Sequence, residues 1–251
     1  MGTVFEILNG IEIVNELPVI YLRKYKVVVL ADTHIGFEEE MAEKGIFIPR
    51  FQKKRLLGII DETINAVDAD TLVIAGDFKH KFDGLGRIER IELSEVLKYA
   101  LSRFNRLIIV RGNHDNYLPL LTHKYKFEIV NHLLLGDTLI IHGHNELPDN
   151  IKAGVVIIGH EHPTITLRDS LGSIGRFQCF LVGDLISGGK LITLPAVGAY
   201  QTGSRVTLDR GTYLSPILRN YVILSDLRPI IVDEDVGILE LPSIKEIFDF
   251  I

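Results

Sequence analysis

Five short apolar segments of the chain each end in residues that can bind a metal ion or transfer a proton. The endings are Asp32-Thr33-His34, Gly76-Asp77, Gly112-Asn113-His114-Asp115, His142-Gly143-His144 and Gly159-His160-Glu161-His162. Carboxylate, imidazole and amide ligands are typical of catalytic Mn, Fe or Zn sites, whereas structural zinc sites favour thiolates. A polar loop after a strand would explain any one ending. Five endings of this composition together predict a catalytic metal site.

The apolar segments before these endings are typical of strands buried on both faces. They are the Val- and Ile-rich runs at 26–31, 71–76, 107–112, 138–143 and 155–160. Between the first three runs, apolar residues recur at helical spacing from Leu56 to Val67 and from Leu93 to Phe104. This alternation predicts a layered α/β fold with parallel strands. Because ligands of open α/β sheets bind at the carboxyl ends of strands, we expect the five endings to converge on one crevice.

Composition and charge are those of an ordinary soluble globular protein. The 251 residues are 47% hydrophobic and 24% charged, and no apolar run approaches the ~20 residues of a membrane-spanning helix. The formal charge of −6 argues against a protein that coats nucleic acid by bulk electrostatics. The N-terminus has no signal-peptide pattern, and the one cysteine, Cys179, lies in an apolar run that predicts a buried thiol. We therefore predict a cytoplasmic protein without disulfides and without membrane contact.

No internal repeat or flexible linker divides the sequence, which predicts one domain over residues 1–251. From about residue 164, apolar segments alternate with turn residues, and this part is predicted to be mostly β. The opening segment, VFEILNGIEIV, predicts a hairpin around Asn9-Gly10. The C-terminal part contains no obvious chemistry and is expected to supply edge strands and a loop near Gly198 to Arg205 that borders the cleft.

The order of the five endings, from Asp32 to His162, resembles that of the calcineurin-like metallophosphoesterase superfamily. The segments DTHIGFEEEMAEKGIFIPRFQ, GDFKH and IIGHEHP are similar to the ICC-like phosphoesterase group, which is related to the nuclease subunits of double-strand-break repair complexes. This resemblance implies a four-layer αββα sandwich with the site between its two sheets. It also implies a hydrolase that uses two divalent metal ions on a phosphoester substrate.

The resemblance implies a role for each matching residue of this chain. Seven ligands would hold the two ions: Asp32, His34 and His162 the first, Asn113, His142 and His160 the second, with Asp77 bridging them. His114 would protonate the leaving oxygen or stabilise its charge, and Asp115 would orient the His114 imidazole. Water activated by the two ions would be the nucleophile. Mn is the expected metal because it suits oxygen and nitrogen ligands, with Zn, Fe, Ni and Mg as alternatives.

Four residues near these motifs leave alternatives open. His144 could lie behind the ligands or face solvent. His80 could contact the substrate or be an ordinary surface histidine. Arg50 begins a basic run that extends to Arg55, which could bind a phosphate backbone or form the solvated face of a helix. Lys79 would place a positive charge beside the site.

The leading functional interpretation is a metal-dependent phosphodiesterase that acts on short or single-stranded nucleic acid, as a relative of repair nucleases would. A phosphomonoesterase acting on proteins or small molecules would use the same metals. It is expected to carry an arginine after the Gly-Asp motif, where this chain has Lys79 and His80. A non-catalytic scaffold that binds a partner is a third alternative. The intact ligands at every motif argue against it.

Overall fold

Two β-sheets are described by the computed structural model, which covers residues 4–169 and 172–251. The first sheet has seven strands in sequence order. They are β1 (Val4–Leu8), β2 (Ile11–Val14), β3 (Ile20–Leu22), β4 (Val27–Leu30), β5 (Thr71–Ile74), β6 (Arg106–Val110) and β7 (Glu128–Val130). The second sheet has nine strands. They are β8 (Leu133–Leu135), β9 (Thr138–Ile141), β10 (Val155–Ile158), β11 (Pro163–Asp169), β12 (Gly172–Asp184), β13 (Lys190–Thr193), β14 (Ser204–Arg205), β15 (Arg228–Asp233) and β16 (Gly237–Glu240).

The helices are longer in the N-terminal half of the chain than in the C-terminal half. The N-terminal half contains α1 (Phe37–Glu43), α2 (Gln52–Ala66), α3 (Arg87–Arg103) and α4 (Pro119–Thr122). The C-terminal half contains α5 (Pro216–Asn220) and α6 (Ile244–Ile247). Helices α2 and α3 contain the two segments whose helical spacing was evident in the sequence. Six strands and only these two short α-helices follow His162 in the described ranges, as a mostly β segment requires.

The strands that end in polar residues are parallel within each sheet. In the first sheet Val73 of β5 pairs with Val29 of β4 on one side and with Ile108 of β6 on the other. In the second sheet Ile157 of β10 pairs with Ile140 of β9. Because the registers are even, the five strands place their carboxyl ends level with their neighbours, which brings the following loops together.

Three hydrophobic clusters separate four layers. The first cluster joins the outer face of the first sheet to α2 and α3, with Val28 and Leu93 among its members. The second lies between the two sheets and contains Val29 and Ile157. The third covers the outer face of the second sheet, where Ile158 packs with residues of α5 and α6. Consecutive strand residues thus alternate between clusters, as strands buried on both faces must. The predicted four-layer αββα sandwich is confirmed.

Two smaller predictions are also confirmed. Strands β1 and β2 form an antiparallel hairpin through Asn9 and Gly10, and Gly10 has φ of 75°, which glycine adopts at little cost. Cys179 is fully buried, and burial raises the pKa of its thiol. The thiol is therefore a packing group and not a nucleophile. None of the helices in the described ranges is both long enough and apolar enough to cross a membrane.

Candidate metal centre

The loops after β4, β5, β6, β9 and β10 bring the predicted ligands together. Backbone hydrogen bonds fix the first two loops to each other, from the amide of Asp32 to the carbonyl of Gly76 (3.0 Å) and from the amide of His34 to the carbonyl of Asp77 (2.9 Å). The amide of Gly159 bonds the His142 carbonyl (2.9 Å) and so joins the loops of the second sheet. The convergence expected from the sequence is therefore present in the fold.

The backbone is strained at the ligand positions. Seven described residues other than glycine have positive φ, and five of them are predicted ligands: Asp32, His34, Asp77, His160 and His162. This left-handed conformation costs about 1–3 kcal/mol at a non-glycine residue and persists where surrounding structure enforces it. Glycines permit the close approach, because a Cβ at Gly76 would collide with the His142 ring and one at Gly112 with the Asp77 carboxylate.

We call Asp32, His34 and His162 the first half-site, since their ligand atoms lie within 4.8 Å of one another. Oδ2 of Asp32 accepts the backbone amide of His160 (2.9 Å), which leaves Oδ1 3.3 Å from Nε2 of His162. Oδ1 of Asp32 and the Nε2 atoms of His34 and His162 are buried without a hydrogen-bond partner. Burial lowers the pKa of His34 well below its usual value, so this imidazole is neutral. Three unpartnered acceptors facing one point fit a cation.

We call Asn113, His142 and His160 the second half-site. Nδ1 of His142 lies 2.9 Å from the carbonyl oxygen of Ala75, which fixes the tautomer with a proton on Nδ1. Its Nε2 lies 3.2 Å from Oδ1 of Asn113 and 3.4 Å from Oδ2 of Asp77. Burial alone would lower the pKa of His142, but the carboxylates of Asp77 and Asp32 raise it to about 9. Nε2 therefore carries a proton that it shares with Asn113 and Asp77, and a metal ion bound here would replace that proton. Burial lowers the pKa of His160 to about 4, so its imidazole is neutral and can bind a metal ion.

Asp77 lies between the half-sites. Its Oδ2 is 3.8 Å from Nε2 of His34 and 3.4 Å from Nε2 of His142, while its Oδ1 accepts the backbone amide of His114 (3.0 Å). Burial alone would raise the pKa of Asp77, but the surrounding imidazoles, His142 foremost, hold it below its usual range. The ionised carboxylate therefore faces both half-sites with one free oxygen, as a bridging ligand requires.

His114 faces the same space from the loop after β6. Its Nδ1 contacts the carbonyl oxygen of His80, so Nδ1 carries the proton, and its Nε2 lies 4.0 Å from Oδ2 of Asp77. The role expected for Asp115 needs correction. The two carboxylate oxygens of Asp115 accept the backbone amides of Phe78, Lys79 and Gly112. Asp115 thus holds the backbone of two site loops together, and the His80 carbonyl orients the imidazole.

His80 is mostly buried, unlike an ordinary surface histidine, and its two ring nitrogens face His34 and Glu40. Its Nδ1 lies 3.1 Å from Nδ1 of His34, and its Nε2 lies 3.4 Å from Oε2 of Glu40. Burial lowers the pKa of His80 to about 4, so its single proton is placed on Nε2, toward Glu40. Nδ1 of His80 then accepts a hydrogen bond from Nδ1–H of His34, which leaves Nε2 of His34 free for a metal ion. Such outer partners orient metal ligands in many proteins.

Two further residues near the motifs, His144 and Lys79, take different positions. His144 lies beside the second half-site, with its ring centroid 5.2 Å from that of His142 and 6.1 Å from that of His160. Lys79 was expected to place a positive charge beside the site, but it does not. It is fully buried, and its ammonium donates to the carbonyl of Lys81. The nearby carboxylates of Glu89 and Asp115 compensate this buried charge.

The basic run is largely accounted for by local structure. Arg50 is exposed, whereas Lys53 pairs with Glu95 (2.5 Å) and Nε of Arg55 donates to the carbonyl of Val197 (2.9 Å). The positive charge near the start of α2 is offset by Glu38, whose carboxylate accepts the amides of Phe51 (2.9 Å) and Gln52 (2.8 Å). Within the run, the exposed Arg50 and Lys54 stay candidates for contact with substrate.

Sequence reasoning missed two acidic residues that support the site. Glu40 lies in α1 and pairs with His80, as described above. Glu89, in the first turn of α3, is buried and accepts the backbone amides of His80 and Lys81 (both 2.9 Å). The sequence signal for Glu89 was its position three residues after Gly86, where a carboxylate caps a helix. For Glu40 the signal was its place in an acidic run soon after the first ligand pair.

Carboxylate and imidazole ligands shared by two half-sites, at strand ends inside an αββα sandwich, define a metal-dependent hydrolase that acts on ester bonds. The chain belongs to the calcineurin-like phosphoesterase family, whose sequence pattern matches residues 25–171. Enzymes of this family use divalent metal ions, and the ligand clusters described above could bind them.

Two solved structures are similar to the chain, and the first of them shows the same fold. The nuclease MPE of Pseudomonas putida superposes with a TM-score of 0.64 and 22% identity, covering 96% of this chain and 100% of its own. The phosphoesterase Yfce of E. coli aligns with a TM-score of 0.42 and 18% identity, over 86% of this chain and 98% of its own. No curated protein sequence matches the chain. At these identities the likeness to the nuclease is one of fold.

Proposed function

We propose that the chain is a phosphodiesterase that uses two divalent metal ions, with short or single-stranded nucleic acid as its substrate. The observation that carries this proposal is the position of Asp77 between two ligand clusters, with Nε2 of His114 beside it. Two ions held about 3.5–4 Å apart are a common arrangement for in-line displacement at phosphorus. When bound, they would neutralise charge on the phosphate and lower the pKa of water.

The residues of the chain complete this chemistry in two ways. Asp32, His34 and His162 would hold one ion, and Asn113, His142 and His160 the other, with Asp77 shared. To act as the acid, His114 would carry a second proton on Nε2 in addition to the Nδ1 proton that bonds the His80 carbonyl. It would transfer the Nε2 proton to the leaving oxygen and become neutral. The side chain of His114 is partly exposed, so it can reach a substrate that enters from solvent.

The buried position of Lys79 favours a diester over a monoester. A phosphomonoester carries up to two negative charges and is commonly bound by an additional arginine or lysine. Lys79, the cation closest in sequence to the Gly-Asp motif, is buried and turned toward the carbonyl of Lys81. A diester carries one charge and needs no further cation. The nuclease MPE among the structural neighbours is a reason to test oligonucleotides first.

Mn²⁺ is the metal that we expect to support activity best. The donors are imidazole nitrogens and carboxylate and amide oxygens, and the single thiol of the chain is buried elsewhere in the third cluster. This mixture suits Mn²⁺ better than metals that prefer sulfur. A chelated and reconstituted enzyme should therefore regain more activity with Mn²⁺ than with Mg²⁺. Activation by Mg²⁺ alone, with no response to Mn²⁺, would contradict this choice.

The test is hydrolysis of a substrate panel by the Mn²⁺-loaded protein. The panel contains bis-p-nitrophenyl phosphate, p-nitrophenyl phosphate and a single-stranded oligonucleotide, and the His114→Ala variant controls for contaminating activity. We expect the diester and the oligonucleotide to be cleaved faster than the monoester. We expect few phosphate contacts, and each neutralised phosphate on a single strand contributes about −0.7 to the slope of log affinity against log salt concentration. Oligonucleotide binding should therefore weaken only modestly as the salt concentration rises. Much faster cleavage of monoesters, without oligonucleotide binding at low salt, would overturn the proposal.

A further inference from the structure

A cavity of about 430 Å³ opens beside the second half-site and is not used by the chemistry described so far. Asn113, a ligand of that half-site, forms part of its wall. A smaller cavity of about 170 Å³ continues from it toward His142 and shares four lining residues. We call the larger one the side cavity. A group held there would lie next to a phosphate bound at the metal centre.

The side cavity is lined by side chains from loops that follow four different strands: Phe82 after β5, Arg111 and Asn116 after β6, Asn131 after β7, and His144 and Asn145 after β9. Its position is therefore at the carboxyl ends of the strands, where α/β proteins bind substrates. None of these residues is a predicted metal ligand. The metal centre alone does not explain why these side chains come together.

Phe82 gives the side cavity an aromatic surface. Its side chain is 55% exposed, although a phenylalanine of ordinary packing would be buried. The ring meets the His114 ring edge to face, with centroids 5.5 Å apart and an interplanar angle of 87°. One edge of the cavity is thus an exposed aromatic ring in direct contact with the residue proposed to protonate the leaving group.

The other lining groups are hydrogen-bond donors and acceptors. Asn116, Asn131 and Asn145 contribute amides, and Arg111 is the cation of the side cavity, with Nη2 3.1 Å from Oδ1 of Asn116. Nδ1 of His144 is buried without a hydrogen-bond partner. A site for further phosphates would require several cations, and a site for an apolar group would lack the amides. Amides and a guanidinium around an aromatic ring match the edges and faces of a nucleobase.

We propose that the side cavity binds the nucleobase next to the scissile phosphate, stacked on Phe82 and contacted at its edge by the asparagine amides. This inference rests on the proposed phosphodiesterase function and specifies the substrate of that site. The same base could belong to a free nucleotide or to a nucleic-acid strand. The experiment below separates these two sources.

The chain contains no tryptophan, so a Phe82→Trp substitution places a single fluorescent reporter in the side cavity. The variant is made together with His114→Asn, to prevent turnover, and is loaded with Mn²⁺. Three probes are titrated: a nucleoside monophosphate, a short single-stranded oligonucleotide, and the same oligonucleotide with its bases replaced by abasic residues. The matched control is Phe250→Trp, at a phenylalanine that is 59% exposed in the last residues of the chain.

We expect saturable quenching of the Phe82→Trp emission by the oligonucleotide that carries bases, and none for Phe250→Trp. Binding of a labelled oligonucleotide to His114→Asn alone, which needs no substitution at Phe82, should weaken about five- to 150-fold when the bases are removed, the range for one lost stack. Quenching by the nucleoside monophosphate alone would retain the base site and assign it to a free nucleotide.

Two other results would overturn the inference in different ways. Equal binding of the abasic and the base-containing oligonucleotide, without quenching, would remove the base subsite and leave the phosphodiesterase intact. No binding of either oligonucleotide and no cleavage of diesters would reject the proposed function itself.

As a second variant, Asn145→Ala should reduce discrimination among the four bases, because a bidentate amide contact commonly accounts for about five- to 150-fold. Unchanged discrimination would remove Asn145 from base recognition.

Discussion

The first and second half-sites use similar residues but satisfy them differently. In the first, Oδ1 of Asp32 and the Nε2 atoms of His34 and His162 have no hydrogen-bond partner. In the second, Nε2 of His142 already contacts Oδ1 of Asn113 and Oδ2 of Asp77. The cost of burying unpartnered acceptors is relieved in the first half-site only by a cation. We infer that the first half-site binds its metal ion more tightly than the second.

The largest effect should come from removing the residue that joins the half-sites. Asp77→Asn keeps the size of the side chain but removes the charge that faces both His34 and His142. We expect the second ion to be lost and activity to fall close to background. Metal analysis of the purified variant measures the first effect, and diester hydrolysis measures the second. Two tightly bound ions in this variant would show that Asp77 does not bridge.

His114→Ala should separate chemistry from metal binding. Its Nε2 is proposed to protonate the leaving oxygen, a function that commonly contributes ~10²–10⁴-fold to the rate. We expect a loss on this scale in kcat with both ions and the fold retained. Circular dichroism and metal analysis of the same sample check the retained properties. Loss of an ion together with activity would instead make His114 a ligand.

A smaller effect that is specific to the first half-site should follow from His80→Ala. The substitution removes the group that receives the Nδ1 proton of His34, and loss of such an outer partner typically costs 10–100-fold in metal affinity or activity. We expect weaker binding of the first ion and unchanged binding of the second, measured by calorimetric titration. Glu40→Gln should act in the same direction. Glu43→Gln, also in α1 but paired with Lys81, is the matched control.

Equal weakening of both ions in the calorimetric titration would contradict the proposed difference between the half-sites, since His80 contacts His34 and not His142. Weakening in the Glu43→Gln control would point to a general effect on α1. Unchanged affinity for the first ion in both His80→Ala and Glu40→Gln would show that this pair does not position His34.

Removing the metal ions should have the smallest effect, on stability. A ligand at 100 times its Kd stabilises the folded state by about 2.7 kcal/mol, which corresponds to roughly 5–10 °C in Tm for a chain of this size. We expect chelation to lower Tm by about this amount, measured by calorimetry or circular dichroism. In an Asp32→Asn variant, the Tm values of the metal-loaded and the chelated protein should differ much less, because the substitution removes a ligand of the tighter half-site. Identical Tm values with and without metal would contradict the inferred stabilisation.

Strand and helix patterns in the sequence predicted a layered α/β fold and the convergence of the ligands at the strand ends, whereas the four-layer αββα arrangement was implied by the family resemblance. The supporting contacts could not be predicted in this way. Asp115 follows His114 directly, yet its side chain turns to backbone amides of two loops. Lys79 looks exposed in the sequence, but Glu89, from the following helix, helps to compensate its charge in the interior. These contacts join residues from different loops, whose relative positions depend on the assembled fold.

Two ions are proposed to bind at the two half-sites, with Asp77 shared and the first half-site filled before the second. Anomalous diffraction from crystals soaked in increasing Mn²⁺ locates both ions and shows the order in which they bind. We expect a first peak among Asp32, His34 and His162, and a second, at higher concentration, among Asn113, His142 and His160, about 3.5–4 Å away. His34, His80 and His114 also lie close enough to form a cluster. A single peak in that cluster would show that the two half-sites do not bind the ions, and simultaneous filling would show that they bind them equally tightly.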